Sequence, residues 1–153
     1  MSKLFLDCEF DGYQGKLISI GISSECNQEF YAYVDSEIYD PWVKKNVVSK
    51  LKKFRDIGDS LLMVEAVSDT DPISEGLEEY LSQFDGVEII ADWPEDITYF
   101  TELLITGPGE RIDTPSLTMK VYREINSDAS EVPHNALEDA RAIKKMYFDV
   151  FKG

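Results

Sequence analysis

Two short stretches of this chain carry residue types that can do chemistry together: Asp7-Cys8-Glu9 near the start and His134-Asn135-Ala136-Leu137-Glu138-Asp139 near the end. A third, Asp92-Trp93-Pro94-Glu95-Asp96, lies between them. Converging carboxylates repel one another unless divalent cations neutralise them, and oxygen ligands suit Mg²⁺ or Mn²⁺. An imidazole nearby, with an unperturbed pKa of about 6.5, can take a proton close to neutral pH. His134 is the only histidine.

The elements that must position these groups can be read from periodicity. Lys3-Leu4-Phe5-Leu6 reads as a strand leading into Asp7, and alternation along a strand puts Asp7 and Glu9 on one face, with Cys8 on the other. Ala136, Ala140, Ile143, Tyr147 and Val150 recur at helical spacing, with Asn135 as N-cap and Glu138 as its capping-box partner. His134 then sits just before the helix, and Asp139 about one turn inside it. Val87-Glu88-Ile89-Ile90-Ala91 reads as a strand, followed by a helix in which Ile97, Phe100, Leu103 and Leu104 recur. Pro94 fits the first helical position, which puts Asp96 in the first turn. Asp96 is the preferred middle carboxylate; Asp92 is the alternative, read otherwise as a strand-end residue that helps the chain turn.

Acid-x-acid pairs also arise by chance in a chain with 30 Asp and Glu among 153 residues. Asp35-Ser36-Glu37 and Asp69-Thr70-Asp71 are two that read as solvated turns.

Asp7-Cys8-Glu9-Phe10, a middle aspartate, and His134 with Asp139 together resemble the DEDDh 3′-to-5′ exonucleases, the family of the proofreading exonuclease subunit, ribonuclease T and oligoribonuclease. More closely, Leu6-Asp7-Cys8-Glu9-Phe10, Leu17-Ile18-Ser19-Ile20-Gly21 and Trp42-Val43 look like the small single-domain exoribonucleases of the mycobacterial type. The resemblance is strong over the first 22 residues and from His134 to Ala140, and loose between. It implies a ribonuclease H-like α/β fold, with a mixed sheet flanked by helices in one domain spanning 1–153. It implies two Mg²⁺ or Mn²⁺ ions per active site, bound by Asp7, Glu9, Asp96 and Asp139, with His134 as general base. Two such ions, about 3.5 to 4 Å apart, serve in-line phosphoryl displacement. The implied product is a nucleoside 5′-monophosphate released from a single-stranded RNA or DNA 3′ end, with RNA favoured. Phe10 is the implied contact to the terminal nucleotide, and a homodimer is carried over from some members.

The remaining elements follow from turn and cap signals. Leu17 to Ser23 and Phe30 to Val34 read as the second and third strands. Tyr39-Asp40-Pro41 starts a helix to about Phe54, Asp71-Pro72 starts another to about Phe84, and a strand runs from about Leu117 to Tyr122. Arg55 to Thr70 and Asn126 to Val132 read as mobile loops.

At this length a single chain can bury a sizeable core, and 43% hydrophobic content is ordinary for a globular domain. No apolar run approaches the roughly 20 residues that span a bilayer, and no leader pattern is visible, so a cytoplasmic protein with no membrane association is expected. Cys8 and Cys26 lack metal-ligand spacing and read as reduced thiols in or near the core.

A formal net charge of −15 opposes any polyanionic substrate. Loaded metals cancel part of that charge, and salt screens the rest beyond about 8 Å. The expectation is weak, distributive binding to short single strands. Lys44, Lys45, Lys50, Lys52, Lys53 and Arg55 cluster in one segment, read as a solvated helical face in preference to a strand-guiding groove. Trp93 is a weaker stacking candidate than Phe10, and Trp42 reads as core. The alternative to an enzyme is a binding or regulatory protein that keeps the fold without turnover. Such a relative is expected to have lost one of Asp7, Glu9, Asp96, His134 and Asp139, and all five are present.

Overall fold

The first three strands form an antiparallel meander because each alternates side chains between two covered faces and turn-forming residues, Gly12 to Gly15 and Ser24 to Asn27, join them. A computed structural model describes residues 1–35, 41–56 and 60–151. In it β1 (Ser2–Phe10), β2 (Leu17–Ser24) and β3 (Gln28–Asp35) pair antiparallel in that order. Asn27, at φ 65°, makes the left-handed step between β2 and β3, a conformation that asparagine tolerates better than most residues.

Next come α1 (Pro41–Asn46), a 3₁₀ turn at Val48–Lys50, β4 (Ser60–Val67) and α2 (Asp71–Leu81). They are followed by β5 (Val87–Ala91), α3 (Pro94–Leu104), a small hairpin of β6 (Ile105–Gly107) and β7 (Glu110–Arg111), β8 (Leu117–Val121) and α4 (Ala136–Val150). The main sheet has six strands in the order β4-β3-β2-β1-β5-β8. β5 and β8 run parallel to β1, and β4 runs parallel to β3. A mixed sheet flanked by helices, with the acid-bearing strand β1 in its interior, is the ribonuclease H-like α/β architecture expected.

The two faces of β1 divide the core. Leu4, Leu6 and Cys8 point into a cluster with Ile20, Ile22 and Phe30 of the sheet, Ile73 and Leu77 of α2 and Phe100 of α3. Phe5 points the other way, onto Ile143 and Tyr147 of α4. Asp7 and Glu9 share that second face by alternation. Burying each of these large apolar side chains contributes about 1.5 to 3 kcal/mol, so strand register and the placement of the acids are fixed together.

Several expectations are corrected. Residues 60–67, read as part of a mobile loop, form edge strand β4; Leu62, Val64 and Ala66 alternate onto the core while Met63 and Val67 stay exposed. Its partner β3 supplies the pairing, and that partnership lies outside the local sequence. The helix expected to reach Phe54 stops at Asn46 and tightens into the 3₁₀ turn. Past that turn the Leu51 carbonyl accepts the Tyr31 hydroxyl (2.6 Å), and the Lys50 carbonyl, which takes the Lys53 N–H, also accepts Asn135 Nδ2 (2.9 Å), so the chain is held by distant side chains rather than by a continued helix. Its proposed start at Tyr39 and Asp40 lies outside the described residues, as do Ser36 and Glu37.

Cys8 is buried as expected, whereas Cys26 is exposed. Trp42 is 56% exposed and is not a core residue. The segment from Asn126 to Val132 is irregular, as expected, with Ser130 closing a turn onto Ser127. Among the described residues, no helix is long and apolar enough to cross a membrane.

Candidate metal centre

Asp7 and Glu9 lie near the end of β1, on the face that α4 covers. β1 pairs with β2 so that Asp7 is opposite Gly21. The first turn of α4 lies directly on Gly21, where a Cβ would stand 2.4 Å from the Ala136 carbonyl carbon. The close approach brings Asp139 down onto the carboxylates of β1.

Asn135 caps α4, its side chain accepting the Glu138 backbone N–H at 3.0 Å. The reciprocal half of the expected capping box does not form. The Glu138 carboxylate turns away to Arg55 Nε (2.9 Å) and Arg141 Nη1 (2.9 Å), and two guanidinium groups offer a buried carboxylate more than one backbone amide would. His134 precedes the cap at φ 71°, an uncommon conformation for a residue with a Cβ. It is half-buried and close to Asp139, and its ring meets the Trp42 ring edge-on at 5.5 Å.

The middle acids arrive from β5 and α3. Pro94 opens α3 and Asp96 lies in its first turn, as the proline signal predicts. Asp96 Oδ1 accepts the Cys8 backbone N–H at 3.3 Å, tying the helix start to β1. Asp92 reaches the same place from the strand end. The geometry does not choose between the two aspartates: Asp7, Asp92 and Asp96 offer carboxylate oxygens all within 4.8 Å of one another, and so do Asp7, Glu9 and Asp139. Asp7 belongs to both groups. Asp92, second choice in the sequence, is thus a full member of the cluster; the signal was its place at the C-terminal end of β5, one turn ahead of Asp96.

The electrostatics are those of an uncompensated site. Burial first, then Asp96, Glu9, Asp139 and Asp92 in turn, raise Asp7 well above the usual carboxylate range. Burial and a hydrogen bond to Asp139 push Glu9 up to about 9. Burial and the charge of Asp92 push Asp96 up to about 8. Burial also raises Asp92 and Asp139; for Asp139 the nearby Ser130 hydroxyl, Glu9 and His134 act in the opposite direction. Asp7 Oδ2, Asp96 Oδ2 and Asp139 Oδ1 are buried without a hydrogen-bond partner. Buried carboxylate oxygens without partners are costly, and an all-oxygen donor set in two overlapping groups fits hard divalent cations such as Mg²⁺ or Mn²⁺.

Phe10 follows Glu9 opposite a bulge at Ile18 of β2, packs against the core cluster on the Cys8 face and stacks its ring on Tyr99 at 4.7 Å. Trp93 is exposed, its indole N–H donating to Glu95 at 3.1 Å. No protein-family model matches this sequence, and no curated protein is detectably similar to it.

Proposed function

We propose that this protein is a metal-dependent 3′-to-5′ exonuclease of the DEDDh kind, acting on single-stranded 3′ ends, with RNA as the favoured substrate. The observation that carries the reading is the pair of acidic groups sharing Asp7, with buried oxygens left unpartnered beside the His134 loop. Asp7, Glu9, Asp96 and Asp139 would hold two Mg²⁺ or Mn²⁺ ions, with Asp92 as a further ligand or close neighbour of the Asp96 side. When bound, the ions would supply charge stabilisation for an in-line attack of water on the terminal phosphodiester.

The chain's own groups do the rest. His134, placed just before the Asn135 cap of α4, takes the proton of the attacking water. Its ring is held edge-on against Trp42, close to the Asp139 carboxylate. Phe10, stacked on Tyr99 and packed against the core on the Cys8 side of β1, is the proposed contact to the terminal base only through the edge left at the strand end, the kind of contact that contributes about 1 to 3 kcal/mol per base. The product is a nucleoside 5′-monophosphate. A cytoplasmic setting and a homodimer belong to the same proposal.

The test is incubation of 5′-labelled single-stranded RNA and DNA with Mg²⁺ or Mn²⁺, beside a chelated control and Asp7→Asn. Laddering from the 3′ end is expected with metal alone. Laddering that persists unchanged in Asp7→Asn would falsify the metal assignment. Absence of any cleavage, with lasting binding of the strand, would favour a non-catalytic binding protein.

A further inference from the structure

The segment 41–56 holds six of the chain's 15 lysines and arginines and only one of its 30 acids, Asp56. It is docked beside the acidic cluster by four separate attachments. The Trp42 ring meets His134, and the Lys50 carbonyl accepts the Asn135 side chain. Arg55 pairs with buried Glu138 through its backbone N–H, Nε and Nη2, and its carbonyl accepts Arg141. Val43, Val47 and Leu51 pack on Ala136 and Leu137, the first turn of α4. The same turn carries Asp139, so this segment and the carboxylates share one support.

The apolar side of the segment is consumed by that docking; Lys44, Lys45, Lys52 and Lys53 are left on the exposed side. Among the described residues none of these four makes an ion pair, although the protein carries twice as many acids as bases. Four such ammonium groups project from a segment that touches the site through Trp42 and His134, a local concentration of positive charge on an otherwise acidic molecule.

We propose that these lysines carry the phosphate backbone of a single-stranded nucleic acid into the acidic site, the strand crossing the 41–56 segment on its way to His134. This rests on the exonuclease reading for the direction of travel, but the binding itself does not need turnover. The surface resolves the charge conflict: net charge governs the far field, while contacts within a Debye length of about 8 Å govern binding.

The experiment is fluorescence anisotropy of a fluorescein-labelled eight-nucleotide single-stranded RNA, with Ca²⁺ replacing Mg²⁺, over a salt series. It compares the wild type, Lys44→Gln/Lys45→Gln, Lys52→Gln/Lys53→Gln, and a charge-matched control, Lys120→Gln/Lys145→Gln, on other parts of the surface. Each segment pair is expected to weaken binding about tenfold at low salt and to flatten the log K against log salt slope by about 1.4, at roughly 0.7 for each phosphate no longer neutralised; the control changes neither. Arginine replacements restore binding, separating loss of charge from loss of fold. Equal effects in all three glutamine pairs, or none in the segment pairs, overturn the proposal. A wild type that ladders RNA without lysine-dependent binding leaves the nuclease reading standing and removes this one. Lysine-dependent binding without cleavage does the reverse.

Discussion

Gly21 and Ala136 are in backbone contact: a Cβ on Gly21 would come within 2.4 Å of the Ala136 carbonyl carbon. Because Gly21 is also the β2 partner of Asp7, one missing side chain lets the sheet and α4 close around the acidic cluster. Gly21→Ala is expected to push the start of α4 off the sheet at a cost of about 1 to 3 kcal/mol, the usual range for overpacking. Activity should fall further than stability, since Asp139 moves with the helix. Thermal melting and rate on the same variant check this; full activity in a destabilised protein would show that the contact does not set the site.

Divalent ions are expected to stabilise the protein, and more so as pH rises. The folded-state pKa values of Asp7, Glu9 and Asp96 lie above their ordinary values, with Glu9 at about 9 and Asp96 at about 8. Groups raised in this way contribute stability below the unfolded-state pKa and lose it as pH climbs through the folded one. In chelator, their contribution therefore drains away between about pH 4 and 9. With Mn²⁺ present the loss is cancelled, so the gap between the two melting temperatures should widen from pH 5 to pH 9. A gap that narrows over that range contradicts the assignment.

Asp92→Asn and Asp96→Asn should both impair metal binding. Both aspartates lie in one oxygen cluster with Asp7. Asp96 is the more buried and has an unpartnered oxygen, so its loss is expected to lower the rate by more than about 100-fold, beyond what outer-shell partners cost. Asp92→Asn should cost less. Manganese titration followed by melting temperature separates the two; an Asp92→Asn protein with wild-type metal response removes it from the centre.

Arg141→Ala should be among the most destabilising single changes outside the hydrophobic core. Arg141 is buried between Glu29 (2.6 Å) and Glu138 (2.9 Å), both buried as well. Removing it strands Glu29, left with only the Ser23 hydroxyl, while Glu138 keeps Arg55; breaking one buried pair in this way costs about 3 to 5 kcal/mol. Arg55, 45% exposed, can follow only Glu138. Urea unfolding gives the number, and a loss below about 1 kcal/mol would mean that water replaces the guanidinium.

The sequence by itself determined the parts whose signals are local. The alternation that sets Asp7 and Glu9 on one face, the Asn135 cap before α4 and the proline that opens α3 at Asp96 are all written within a few residues. The ribonuclease H-like order of elements followed from these and from the resemblance they carry.

Tertiary structure decided what depends on distant partners. It brought Asp92 to Asp7, turned Glu138 from its cap toward Arg55 and Arg141, and made an edge strand of residues 60–67. It also turned the chain after α1 onto Asn135 and Tyr31 through the Lys50 and Leu51 carbonyls and left Trp42 against His134 rather than in the core. Nearly all of these partners, Arg141 beside Glu138 excepted, lie more than ten residues away along the chain. Local pattern can state what a side chain is able to do; only the folded chain states what it meets.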